Sequence, residues 1–207
     1  PTATPTVSPL LTDLVGYWKL DESSGTLVAD ELGVHDGTAS GTTITTGKIE
    51  NGREFDGIDD GVDIPDHVDL RLGVNQTISA WVKIDSGGTG WERIVGKWQI
   101  DNDRNYGLWI DARDGDLMYQ IYSSGGTVVC NFLDDAGAGN DMNLSVDGTW
   151  HHIVGTYDGV TGRFYVDGVE THASDCTVTP ANNSDPVQFG IRGSSYNQFH
   201  GSIDEVG

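Results

Sequence analysis

The sequence predicts an all-β fold, a two-sheet antiparallel β-sandwich, on three observations. Glycine is abundant, at 29 of 207 residues, and turn-forming residues recur along the whole chain. Short apolar runs alternate in and out with period two, and no long stretch repeats at the 3.6-residue period of a helix. Asp-Gly pairs stand between the runs, at Asp114-Gly115, Asp158-Gly159 and Asp167-Gly168, where tight hairpin turns need residues that tolerate positive φ.

In chain order, the opening PTATPTVSP is too rich in Pro and Thr to build a core and favours an extended chain. Residues 1–13 are therefore expected to be an interdomain linker, and residues 14–207 one β-sandwich domain, a size that suits a single all-β unit. A first strand is expected over Leu14–Leu20. The run Thr77–Ile84 alternates well: Ile78, Ala80, Val82 and Ile84 share one face, and Ser79, Trp81 and Lys83 the other. Further strands are expected over Ile94–Ile100, Tyr106–Ile110, Leu117–Tyr122, Thr127–Phe132, Trp150–Tyr157, Arg163–Val166, Gln188–Ile191 and Gly201–Val206. About a dozen short strands with little helix point to two packed antiparallel sheets.

With 11 basic and 32 acidic residues, the net charge is −21. Such a surface repels nucleic-acid phosphates and anionic membranes and favours cations and neutral ligands. No run of about 18 apolar residues is present to span a bilayer. The two cysteines, Cys130 and Cys176, carry no CxxC or Cys/His pattern that would mark a zinc site. An even count in an extracellular chain favours one disulfide over two buried thiols. The segment Asp101–Asn105 has the alternating oxygens of an EF-hand start, but Tyr106 and Ala112 stand where such a loop needs Gly and Glu. It reads better as a solvated loop.

Five segments in order carry a family resemblance: GYWKLDESSGTLVADELGVHDGT (16–38), REFDGIDDGVDIP (53–65), TISAWVK (77–83), DGTWHHIVGTYDGVTGRFYVDGV (147–169) and FHGSIDEV (199–206). Together they resemble the laminin-G-like, concanavalin A-like jelly-roll domains of bacterial extracellular proteins. That family ordinarily runs on past the last block into a further strand. The sequence ends at Gly207, so that strand either lies beyond it or is shorter here, and a loose end would expose a sheet edge. The resemblance implies that opening and closing segments meet around a structural calcium. Carried onto this chain, the side-chain ligands are Asp21, Asp30 and Asp204, with backbone carbonyls around Gly33–Asp36. It also implies that Trp18, Trp81 and Trp150, which fall inside the shared blocks, are core residues. The His151-His152 pair is then structural, since neighbours on a strand face opposite ways.

Trp91, Trp98 and Trp109 fall in the middle of the chain, outside those blocks. Trp109 shares its strand face with Gly107 and Asp111, the composition of a polar face rather than a core. Sugar rings stack their C–H faces on such aromatics while polar neighbours bind the hydroxyls. The expected carbohydrate-binding residues are Trp91, Trp98, Asn105, Trp109, Asp111, Tyr122, Arg192 and Tyr196, with Gln120 as a further polar helper. No strand carries the closely spaced carboxylates of the jelly-roll glucanases, and GxSxG, HExxH and GxxxxGK[ST] are absent. The expectation is a non-catalytic carbohydrate-binding module, monomeric and extracellular, with polysaccharide or oligosaccharide and the neighbouring domains of its parent chain as partners. The alternatives are a calcium-stabilised adhesion or protein-interaction module and, behind it, a glycan-cleaving enzyme.

Overall fold

A computed structural model of the chain describes residues 13–85, 90–98, 104–134, 144, 148–190 and 198–207. Of the expected linker only Asp13 falls within them. The described residues form fifteen strands: β1 (Leu27–Val28), β2 (Gly37–Ser40), β3 (Thr43–Thr46), β4 (Asn51–Asp56), β5 (Gly61–Ile64), β6 (Asn75–Ile84), β7 (Trp91–Lys97), β8 (Tyr106–Asp111), β9 (Leu117–Tyr122), β10 (Val129–Asp134), β11 (Trp150–Asp158), β12 (Thr161–Val166), β13 (Val169–Asp175), β14 (Val187–Phe189) and β15 (His200–Asp204). They form an eight-stranded sheet, β1-β2-β5-β14-β7-β8-β9-β10, and a seven-stranded sheet, β13-β12-β11-β6-β15-β4-β3. Every pairing between them is antiparallel, as in a sandwich.

The period-two pattern sets which side of each strand is buried. On β6, Ile78, Ala80, Val82 and Ile84 are buried, while Ser79, Trp81 and Lys83 are only partly covered. Their row meets Leu108, Ile110, Leu117, Tyr119 and Ile121 from the opposite sheet in one core. Tyr119, Phe132 and Tyr157 stack in sequence across it, with centroids 5.8 Å apart at each step. The turns follow the Asp-Gly signals. Asp167 (φ 49°) and Gly168 (φ 80°) both take the left-handed conformation that a two-residue hairpin between β12 and β13 demands.

The expected strand over Leu14–Leu20 does not form. Only Trp18 pairs there, exchanging backbone hydrogen bonds with Val206 at 2.8 and 2.9 Å. Its indole N–H donates to the His35 carbonyl at 2.8 Å, and Leu20 turns the chain out of extended geometry with φ 62°. A carboxylate organises this opening segment: Asp30 accepts from the backbone N–H groups of Tyr17, Leu32, Val34 and His35 at 3.0–3.2 Å. Buried Arg53 ties the segment to β4 through the carbonyls of Leu27 and Gly25.

Cys130 on β10 is bonded to Cys176, just beyond β13, with Cα atoms 5.8 Å apart. The bridge joins the edge strand of one sheet to the edge strand of the other. No helix among the described residues is long and apolar enough to cross a membrane.

Candidate functional site

The site begins with the register of β7, β8 and β9. Trp91 pairs with Asp111, Arg93 with Trp109, Trp109 with Met118, and Gly107 with Gln120. Paired residues point to one side of a sheet. Leu108, Ile110 and Tyr119 belong to the core, so Trp91, Arg93, Trp109, Asp111, Met118 and Gln120 occupy the outer face. A bulge between Arg93 and Val95 absorbs one residue, burying Ile94 and Val95 together while Arg93 stays on the outer side.

Two hydrogen-bonded chains run across this face. Gln188 accepts from Arg93 Nη2 at 2.7 Å and donates to Asp63 at 2.5 Å. Gln120 donates to Asn131 at 2.9 Å and accepts from the Tyr122 hydroxyl at 3.0 Å, and Tyr122 in turn accepts from Arg104. Between the chains lies an aromatic stack. Trp98 and Trp109 have centroids 5.0 Å apart, Tyr122 lies 6.5 Å from Trp98, and the Arg104 guanidinium sits 3.7 Å over the Trp98 ring. The Trp109 indole folds over Gly107, where a Cβ would come within 2.7 Å of its nitrogen.

Of the eight expected sugar-binding residues, this face brings together Trp91, Trp98, Trp109, Asp111 and Tyr122, with Asn105 beside them. It differs from the expected open platform in one respect. Trp98, Asn105, Trp109, Asp111 and Tyr122 are all buried. Trp91 and Met118 are partly exposed and Asn131 is exposed. Arg192 and Tyr196 lie outside the described residues. Among the described residues, the polar atoms of the buried layer without a hydrogen-bond partner include the Trp109 indole nitrogen and both ends of the Asn105 amide. Each group left so costs about 1–3 kcal/mol, which a water or ligand reaching it relieves.

The tryptophans of the family-like blocks divide. Trp18 is in the core. Trp81 and Trp150, expected there, lie instead on the outer face of the seven-stranded sheet, because strand parity sets them opposite Ala80 and Ile153. Trp81 packs on His152 at 5.1 Å with Lys48 Nζ 4.3 Å over its ring, and Lys83 Nζ lies 5.7 Å from the Trp150 ring. His151 turns to Asp167 at 2.8 Å, away from His152.

Two carboxyls near the site carry opposite shifts. Burial pushes Glu92 up to about 7, with the neighbouring Asp111 charge adding to the rise. The Arg113 guanidinium clamps Asp111 and holds it below the usual carboxylate range. Glu92 pairs with core-facing Ile110 and accepts from the His200 backbone N–H at 3.0 Å, so it points into the sandwich. Asp111 points outward. Opposite faces of one strand pair keep the two carboxyls from flanking a common bond.

Among the three expected calcium ligands, the Asp30 carboxylate is filled by its four backbone donors. Asp204 accepts from Lys48 and Ile49 N–H at 2.8 and 3.0 Å through Oδ2, while its buried Oδ1 has no partner. Burial raises Asp204 to about 6, against its backbone donors and with the nearby Asp21 charge adding. Asp21 accepts from the Asn51 N–H at 2.9 Å. Asp21 and Asp204 thus hold the same 48–51 stretch of backbone, and Asp30 serves the turn it organises.

The sequence matches the family model described as the Concanavalin A-like lectin/glucanases superfamily over residues 56–207. A comparison with curated protein sequences found no match. Among solved structures, the binding domain of Paraclostridial Mosquitocidal Protein 1 is similar at TM-score 0.75 and 15% identity, over 95% of this chain and 48% of that one. Domain 4 of AbnA, an extracellular arabinanase from Geobacillus stearothermophilus solved with arabinotriose, is similar at TM-score 0.69 and 20% identity, over 92% of this chain and 89% of that one. Trypanosoma rangeli sialidase is similar at TM-score 0.62 and 16% identity, over 92% of this chain but only 29% of the enzyme. The chain thus spans about half of the toxin binding domain and less than a third of the sialidase. At these identities the likeness is one of fold.

Proposed function

The chain belongs to the Concanavalin A-like lectin/glucanases superfamily, and from that premise we propose that it is a non-catalytic carbohydrate-binding module of a larger extracellular protein. Its site is the outer face of the eight-stranded sheet. The observation that carries this reading is the buried layer of stacked aromatics holding an unpartnered indole N–H and an unpartnered amide beneath a partly open rim. The stack gives a rigid floor at low entropic cost. Trp91 at the rim offers a ring face to a sugar, and Gln120, Asn131 and the groups around Trp109 and Asn105 offer donors and acceptors to its hydroxyls. The arabinotriose held by the similar arabinanase domain supports an oligosaccharide ligand. The placement of Glu92 and Asp111 on opposite faces supports the absence of hydrolysis. A Thr/Pro-rich linker over residues 1–13 fits a tether, which raises the local concentration of a weakly held polysaccharide.

A glycan array followed by calorimetry on its hits tests the proposal. Trp91→Ala and Asn131→Ala are expected to weaken binding up to about tenfold each without changing the melting temperature, as neutral polar contacts and a single stacking face are worth about 1 kcal/mol. Absence of binding to any glycan overturns the reading. Binding that survives both substitutions but is lost in Trp81→Ala and Trp150→Ala moves the site to the other sheet. That outcome favours the second reading, an adhesion or protein-interaction module, which rests on the partly exposed Trp81–Lys48 and Trp150–Lys83 pairs.

The family resemblance also implies calcium. The buried, unpartnered Asp204 Oδ1 beside Asp21 fits a cation with a preference for carboxylate oxygen, and these two residues would hold it. Bound there, calcium would offset their mutual repulsion and fasten the opening segment to the 47–51 turn. Chelation is then expected to lower the melting temperature of the native protein and not that of Asp204→Asn.

A further inference from the structure

The opening segment and the β5–β6 connection bring two histidines and an aspartate together, although His35 and His67 stand far apart in sequence. His35 precedes β2. His67 caps the short 3-10 turn over residues 68–70, and Asp69 lies within it. One ligand atom of each of the three lies within 4.8 Å of the others. Asp69 Oδ2 is 3.2 Å from His67 Nδ1 and 3.9 Å from His35 Nε2, and the two imidazole centroids are 4.6 Å apart.

His35 is held in place on both sides of its ring-bearing carbon. Its backbone N–H donates to Asp30 at 3.0 Å, and its carbonyl accepts from the Trp18 indole at 2.8 Å. It is only 5% exposed, yet neither ring nitrogen has a hydrogen bond among the described residues. Its Nε2 faces the Asp69 carboxylate at 3.9 Å, so the imidazole is turned toward the other two groups without a direct hydrogen bond. The nearby Asp66 does not supply it, being engaged by Arg71 and Lys97.

We propose that His35, His67 and Asp69 form a three-ligand site for a divalent transition metal of the zinc class. Two imidazoles and one carboxylate are the donors such ions prefer, whereas calcium takes oxygen. Metal–ligand bonds of about 2.0–2.1 Å in a tetrahedron put ligand atoms roughly 3.3 Å apart, which the 3.2 and 3.9 Å distances from Asp69 to the two imidazoles already approach. The His67 and Asp69 side chains are half exposed, so the fourth position opens to water, the arrangement of three protein ligands and one exchangeable position. The metal displaces the 3.3 Å hydrogen bond from Asp69 N–H to His67 and fastens the Trp18–His35 segment to the connection entering β6. The net charge of −21 favours its capture.

Tag-free protein stripped with chelator and then titrated with zinc chloride in calcium-containing buffer tests the site. One-to-one saturable binding, a raised melting temperature and, with cobalt in place of zinc, the visible absorption of a tetrahedral centre are expected. Because His35 is buried, the deciding variants are His67→Ala and Asp69→Ala, whose side chains are half exposed and whose metal-free melting temperatures are expected to match the native protein's. Each is expected to weaken zinc roughly a hundredfold and abolish the cobalt spectrum. Zinc affinity unchanged in both variants, or weak binding without a defined stoichiometry, overturns the proposal.

Discussion

At the scale of single residues, one of the tight fits in the core is between Gly162 on β12 and Phe132 on β10. A Cβ at position 162 would stand 2.3 Å from three carbons of the Phe132 ring. That ring is fully buried and stacked between Tyr119 and Tyr157, so it has nowhere to retreat. Gly162→Ala is therefore expected to cost about 1–3 kcal/mol by overpacking, read as a lower urea midpoint with an unchanged slope. Gly168→Ala meets open space and bears only the strain of its positive φ, so it is expected to cost less. Neither glycine differs from the other in the sequence, because both stand in hairpin-rich runs and the contact that separates them comes from another sheet. The tryptophans teach the same lesson. Parity on β6 placed Trp81 correctly on the face with Ser79 and Lys83, while membership in a shared block argued for the core. Trp98 packs against Trp109, Tyr122 and the Arg104 guanidinium, contacts that no local pattern in the sequence links.

At the scale of elements, strands with strong alternation and Asp-Gly punctuation were legible: β6, β8, β9, β11 and β12 lie within a few residues of their expected bounds. The strands β2 to β5 were not expected. They are short and rich in Thr, Gly and Asp, and pairing alone makes them strands. The same weakness appears at the sandwich's open side, where β10 and β13 are both edge strands, and there a covalent bond supplements packing. The Cys130–Cys176 bridge closes a loop of 46 residues. Chain-entropy reasoning assigns a loop of that length about 4 kcal/mol of stabilisation through the unfolded state. The double variant Cys130→Ser, Cys176→Ser is expected to lose up to that amount in denaturant titration under non-reducing conditions, and the native protein to lose as much when dithiothreitol is added. Its hydrogen-exchange protection is expected to fall first in β10 and β13, as these edges open before the centre does.

At the scale of the whole molecule, the shifted carboxyls give the fold a pH profile whose direction follows from linkage. Asp66, between Arg71 and Lys97, is held down at about 2. Its contribution is present above its ordinary pKa and is lost as pH falls toward 2. Glu92 and Asp204 run the other way, raised to about 7 and about 6 by burial. The folded state keeps their protons where the unfolded chain has released them, so stability falls as pH rises from about 4.5 through 7. Stripped of divalent cations, the protein is therefore expected to be most stable near pH 4.5, with melting temperatures declining toward pH 8. Glu92→Gln removes the buried charge without removing the side chain, and is expected to raise the melting temperature at pH 8 and leave it nearly unchanged at pH 4.5. Calcium separates the two carboxyls. If Asp204 and Asp21 hold it, the ion stabilises the ionised form of Asp204, so adding calcium flattens the Asp204 part of the decline while the Glu92 part remains. Melting curves from pH 4 to 8, with and without calcium, in native protein, Glu92→Gln and Asp204→Asn resolve the contributions. A calcium effect that persists in Asp204→Asn would place the ion elsewhere. A pH slope above 6 that persists in Glu92→Gln with calcium present would remove Glu92 as its source.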